Sequence, residues 1–213
     1  RDLFPAYDLK LPVTGEGFLD HNAQNQLSRM NSEQRFAWKA AFGPRNQAFA
    51  ESNLSGDALT RWNYQRYIKN YLRCVDGIDE SVARVRDFMK AYQLDENTIV
   101  IYTSDQGFYL GEKGFFDKRF MYEESYRTPL LVQYPAKVNA GTSSEALVQN
   151  LDYAQTFLDF AGGNEFTSEM QGQSLKPLLT QEVKDEDFRE ALYYHYYEYP
   201  AFHMVKKHYG IST

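Results

Sequence analysis

From Asp57 to Met89 apolar residues return at every third or fourth position. Leu59, Trp62, Tyr67, Tyr71, Cys74, Val75, Ile78, Val82, Val85, Phe88 and Met89 form the row. That spacing predicts one long amphipathic helix over 57–91, with a face that must be covered. Asp57 is the expected N-cap, and Asp95-Glu96-Asn97 the turn beyond the helix end. TIVIYT follows, with Ile99, Val100 and Ile101 in succession, and reads as a buried strand. PLLVQY (129–134) reads as a second strand, with Pro129 at its first position, where a missing N–H is tolerated. In QNLDYAQTFLDFAGG (149–163) Leu151, Ala154, Phe157, Leu158 and Ala161 share one helical face, and the Gly162-Gly163 pair supplies the C-cap. The order helix, strand, long loop, strand, helix predicts an α/β fold, a mostly parallel sheet flanked by helices.

Either side of this block the sequence changes character. Residues 1–56 are irregular and punctuated by Pro and Gly, with a short helix in SEQRFAWKAAF capped by Ser32. After Pro177 a charged run, EVKDEDFRE, leads into the Tyr-rich strand candidate ALYYHYYEYP. The boundary is set near 181: residues 1–180 form part of an α/β domain, and 181–213 begin a smaller α+β subdomain. A hydrophobic content of 43% is enough for a core, and a net charge of −6 without any basic stripe argues against a nucleic-acid partner. No apolar run is long enough to span a membrane, and RDLFPAYDL has no signal-peptide core, so the compartment is not encoded here. Cys74 stands alone, which excludes an intrachain disulfide; its apolar neighbours make it a buried structural thiol. The 17 Tyr and 15 Phe suit either aromatic packing or a sugar-binding surface, and composition does not choose between them.

The chemistry concentrates between the two strands, in TSDQGFYLGEKGFFDKRFMYEESYRTP. In open sheets ligands bind beyond the carboxyl ends of strands, and Asp105 stands two residues past Thr103. A carboxylate beside the Gln106 amide oxygen offers hard donors, suited to Ca²⁺ or Mg²⁺ rather than zinc. Gly107 allows a sharp turn close to a bound group, Gly111 and Gly114 keep the loop near it, and Lys118 offers a point charge for an anionic oxygen. Each feature alone is generic: an Asp after a strand is usually a cap, and a lone Lys is usually solvated.

In this order they resemble the sulfatase family of the alkaline-phosphatase-like superfamily. There a strand ends in Thr-Ser-Asp-(His/Asn/Gln)-Gly, followed by Leu-Gly-Glu-(His/Lys)-Gly, a Lys, and Glu-Glu-x-x-Arg-x-Pro-Leu. MQGQSLKPLL (170–179) is similar to the family's Gly-x-Ser-Leu segment, so the resemblance covers roughly residues 57–213. It implies an alkaline-phosphatase-like fold, with Asp105 and Gln106 as metal ligands, usually for Ca²⁺ (Mg²⁺ as the alternative). It makes Lys118 the catalytic lysine that contacts the sulfate. Glu112, Lys113, Glu123, Glu124 and Arg127 are read as bracing the loop. The family's nucleophile is a formylglycine made within a (Cys/Ser)-x-Pro-x-Arg motif, which this sequence lacks; Cys74 in RCVDG has neither the Pro nor the Arg. Two further acidic ligands and the His that protonates the leaving group are missing as well. The chain therefore reads as the C-terminal part of a sulfatase that is inactive alone, its partners being the N-terminal part of the enzyme and a sulfated glycan. EYPAFHMVKKHYGI is similar to a segment of the N-acetylglucosamine-6-sulfatase branch, making N-acetylglucosamine-6-sulfate the candidate substrate and His203 and His208 candidate sugar contacts. His21 reads as a surface residue, and His195, alternating with tyrosines, faces either side of its strand. Family precedent suggests export to a periplasm, lysosome or the extracellular space. The alternatives are a phosphodiesterase or phosphatase of the same superfamily, and a non-catalytic binding module.

Overall fold

The computed structural model describes residues 27–201 and 204–213; His21 and His203 lie outside them. Two compact units emerge, one holding residues to Asp79 with Leu110–Phe115, the other Glu80–Tyr109 with Phe116–Thr213. In the first, helix α1 spans Ser32–Ser52. Its N-cap is Asn31 rather than Ser32. The Asn31 side chain accepts from the Gln34 amide (2.8 Å) while Gln34 accepts from the Asn31 amide (3.0 Å), a reciprocal capping box. The helix continues through Pro44, well beyond the short segment expected. Helix α2 spans Gly56–Ala91, close to the predicted bounds, with Asp57 inside the first turn rather than capping it. Within the first unit the Phe49 and Trp62 rings stack at 3.9 Å, and the Arg66 guanidinium donates to the buried Asn46 side chain (2.9 Å).

The apolar row of α2 does not become a core. Tyr71, Val75, Ile78, Val85 and Phe88 are exposed, Val85 and Phe88 each to 57%, whereas Met89 is buried. Cys74 is exposed too, contrary to the buried thiol expected, because it shares this uncovered surface.

In the second unit, strands β1 (Val100–Thr103) and β4 (Leu130–Gln133) pair antiparallel, Val100 opposite Gln133 and Thr103 opposite Leu130. The mostly parallel arrangement predicted is not found among the described residues, whose long ladders are antiparallel. The reason lies in the connection. Between β1 and β4 come the two-residue strands β2 (Tyr109–Leu110) and β3 (Phe116–Asp117), a 3-10 turn at Glu112–Gly114 and the one-turn helix α3 (Glu123–Tyr126). A parallel return needs a crossover, usually a full helix, and none is present. The strands are half-buried rather than buried, with Tyr102 and Leu131 exposed.

Helix α4 spans Asp152–Ala161 and ends as the glycine pair requires, with Gly162 left-handed at φ 79°. Its buried face is not the apolar one. Leu151 and Phe157 are exposed, while Asp152 (0% exposed) and Thr156 are buried. Asp152 accepts hydrogen bonds from the Gln149 amide (2.8 Å), the Gln173 amide (2.8 Å), and both Arg189 terminal nitrogens (2.8 and 2.7 Å). The Thr156 hydroxyl donates to the Asp152 carbonyl (2.7 Å) and accepts from the Leu175 amide (2.8 Å). Leu175 and Phe188 bury themselves around this polar knot. Helix α5 (Lys176–Leu179) follows; Lys176 donates to Asp159 (2.8 Å) and holds its carboxyl below the usual range. Strands β5 (Leu192–Tyr196) and β6 (His208–Ser212) form the last antiparallel pair. Among the described residues no helix is long and apolar enough to cross a membrane.

Candidate functional site

At the carboxyl end of β1 the backbone is tied down before it reaches Asp105. The Thr103 and Tyr153 hydroxyls share a hydrogen bond of 2.8 Å. Ser104 folds the next residues into a tight turn by donating to the Gln106 carbonyl (2.9 Å). The Asn150 side-chain amide donates to the Asp105 carbonyl at 2.7 Å. Asp105 is left exposed and Gln106 half-buried.

Gly107 comes next, and its role differs from the one expected. What lies close is protein backbone: the Gly107 amide donates to the Ser125 carbonyl (2.9 Å), and a Cβ there would stand 2.2 Å from the Glu124 carbonyl oxygen. Gly107→Ala is therefore expected to destabilise the protein by about 1–3 kcal/mol, the usual range for overpacking. Thermal unfolding checks it; an unchanged midpoint would mean that the 124–125 segment moves aside freely.

Lys118 sits half-buried between two residues with positive φ, Asp117 at 82° and Arg119 at 107°. Non-glycine residues in this region are strained, and such strain collects at functional sites. The turn is held from several sides. Arg119 pairs with Asp117, its amide donates to the Ser125 hydroxyl (3.2 Å), and its carbonyl accepts from the Tyr194 hydroxyl (3.1 Å). Beneath it Tyr109 is fully buried and donates to the Phe120 carbonyl (3.1 Å); burial, then the Glu124 charge, pushes its phenol up to about 12.

Asp105, Gln106 and Lys118 all line one open cleft of about 1680 Å³ in the second unit, with Ser125, Asn150 and Tyr194. Lys113 belongs to the other compact unit, in a Gly111–Gly114 turn where the Glu112 carboxylate accepts from the Leu110 amide (2.6 Å). His208 is not among the residues lining the cleft. It packs at 5.4 Å from Tyr196 and 5.7 Å from Tyr194, two tyrosines that do line it. The His208 Nδ1–H donates to the Lys206 carbonyl (2.8 Å), and its Nε2 is buried and unmatched among the described residues. His195 is half-buried and stacks on Tyr197 at 3.7 Å.

A carboxylate and an amide oxygen at adjacent positions fit a hard divalent cation, but two donors do not complete its shell. No group of three or more His, Cys, Asp or Glu able to hold a metal exists among the described residues. Asn150, Tyr153, Asp152 and Arg189, which fix the loop or the helix behind it, escaped the sequence reading. The one signal was Asp152 itself, an acid beside the helical face taken to be the core.

Comparison with known proteins bears on the same segment. Residues 111–213 match a family described as N-sulphoglucosamine sulphohydrolase, C-terminal. The chain is 48% identical over 211 residues to an N-acetylglucosamine-6-O-sulfatase of Bacteroides thetaiotaomicron, covering 97% of this chain and 38% of that protein. It is 36% identical over 155 residues to the N-acetylglucosamine-6-sulfatase of Homo sapiens, covering 67% of this chain and 28% of that protein. A solved protein in complex with its substrate D-glucosamine-2-N,6-O-disulfate superposes with a TM-score of 0.80 at 46% identity, over 92% of this chain and 41% of the other. The chain thus spans well under half the length of each of these relatives.

Proposed function

We propose, from the premise that this chain is a sulfatase-family sequence matching the C-terminal part of its relatives, that it forms part of a sulfuric ester hydrolase acting on sulfated glucosamine-type glycans. The observation that carries the reading is the shared cleft of Asp105, Gln106 and Lys118. Asp105 and Gln106 would contribute two oxygen ligands to a Ca²⁺ ion, Mg²⁺ being the alternative, which neutralises charge on the sulfate oxygens when bound. Lys118 adds a fixed positive charge where negative charge accumulates as the ester bond breaks. The nucleophilic formylglycine, the remaining acidic ligands and the leaving-group acid would come from the part of the enzyme that precedes this sequence in its longer relatives. In the same reading 181–213 opens the C-terminal subdomain, and β1 joins a larger, mostly parallel sheet. His208, whose buried Nε2 accepts nothing among the described residues, and His203 would offer contacts to sugar hydroxyls. The 6-sulfate of N-acetylglucosamine is the substrate most consistent with the relatives' names.

The test compares the two lysines of the loop in the complete enzyme, with a sulfated N-acetylglucosamine substrate. Lys118→Ala is expected to lower turnover by about 10²–10³, the usual loss when one preorganised charge-stabilising group is removed. Lys113→Ala should cost under about threefold, in keeping with a group that meets no developing charge. Equal losses would place the sulfate at the wrong lysine.

A further inference from the structure

Within the loop the peptide between Asp105 and Gln106 is held by a long hydrogen bond, the Gln106 amide donating to the Ser104 hydroxyl at 3.5 Å. Ser104 closes the turn onto Gln106 (2.9 Å), but the Asp105 carbonyl accepts its hydrogen bond from outside, from the Asn150 side chain at 2.7 Å. Asn150 lies two residues before the first residue of α4, Asp152, which fixes the helix's first turn. The Asp152 carboxylate receives the Gln149 amide (2.8 Å) and the two-pronged Arg189 contact. The same helix reaches β1 a second time through the Tyr153–Thr103 hydroxyl pair (2.8 Å). Two ties thus run from one rigid turn to the strand end and the loop beyond it.

We infer that Asn150 is a positioning residue for the Asp105–Gln106 turn, transmitting the fixed geometry of the Asp152–Arg189 knot to the two donor side chains. This rests on the reading of Asp105 and Gln106 as cation ligands. Groups that orient ligands from behind typically cost 10–100-fold in metal affinity or activity when removed. Asn150 is itself exposed and carries no share of the buried core, so its loss should leave global stability nearly intact.

The experiment uses the complete protein with Asn150→Ala, Asn150→Gln and Asp105→Ala, and reads Ca²⁺ affinity by titration and amide hydrogen exchange in the metal-free state. Asn150→Ala is expected to raise the Ca²⁺ dissociation constant about 10–100-fold. Exchange should quicken across 103–107 and nowhere else. Asn150→Gln, which keeps the amide donor, should recover most of both. Native exchange at 103–107 in Asn150→Ala overturns the inference, and so does a rise in exchange spread over the whole chain. If instead Asp105→Ala binds Ca²⁺ normally, the cation reading fails, while the exchange pattern still decides whether Asn150 positions the turn.

Discussion

Replacing Asp105 by alanine in the complete enzyme should abolish stoichiometric calcium and cut turnover by more than about a hundredfold, since even groups behind a ligand cost 10–100-fold. In the proposed reading Asp105 would supply the charged donor of the adjacent pair, and an amide oxygen such as that of Gln106 binds a hard cation less strongly without it. The carboxylate is exposed, and the backbone bonds of this turn come from Asn150 and Ser104 rather than from the Asp105 side chain. The substitution should therefore leave the fold intact. Metal content by atomic emission, turnover of a chromogenic sulfate ester and the unfolding midpoint separate the possibilities. Unchanged calcium and unchanged rate would dismiss Asp105 as a ligand; a collapsed midpoint would make the loss structural.

The second large effect is on stability. Asp152→Ala should destabilise the protein by about 3–5 kcal/mol, the range for breaking a buried ion pair from one side. The carboxylate is fully buried and accepts from Gln149, Gln173 and both arms of Arg189. Without it the Arg189 guanidinium keeps the Leu147 carbonyl (2.7 Å) and the face of the Phe188 ring (5.1 Å to its centroid), and two backbone amides lose their acceptor. Replacing both residues of the pair by apolar side chains should cost less than Asp152→Ala alone, because no uncompensated charge is then left buried. Denaturant unfolding of the single and double variants checks both statements. A double variant less stable than Asp152→Ala would overturn the second statement.

What the sequence disclosed, and what it hid, divides along local and long-range physics. The three-four spacing located α2 almost to the residue, the β-branched run located β1, and the glycine pair located the end of α4, because each depends on neighbours in the chain. Strand direction depends on what lies between strands. The loop after β1 was long enough to suggest a crossover, yet its residues form turns, two two-residue strands and a single turn of α-helix. Burial was misjudged for a related reason: periodicity says which side chains share a face, not what meets that face. Hence Val85 and Phe88 are exposed and Asp152 is buried. At the site, Asp105, Gln106 and Lys118 were legible as a motif, and the structure lines one cleft with all three. Arg189 was not legible at all, since it sits in a run where almost every residue is charged. Asn150 gave no sign either, because its contribution is a contact across 45 positions of sequence.

The knot at the start of α4 also affects how this part of the molecule responds to temperature. Apolar surface hidden on folding raises the heat capacity of unfolding, whereas hidden polar surface lowers it. Around α4 the two are interleaved, Asp152, Thr156 and Arg189 against Leu175 and Phe188. Their heat-capacity contributions oppose one another, so the free energy holding this corner together varies less steeply between cold and warm than that of an oily core of equal size. The turn that carries Asp105 is thus tethered to a mount whose stability changes less with temperature than that of an apolar mount of equal size.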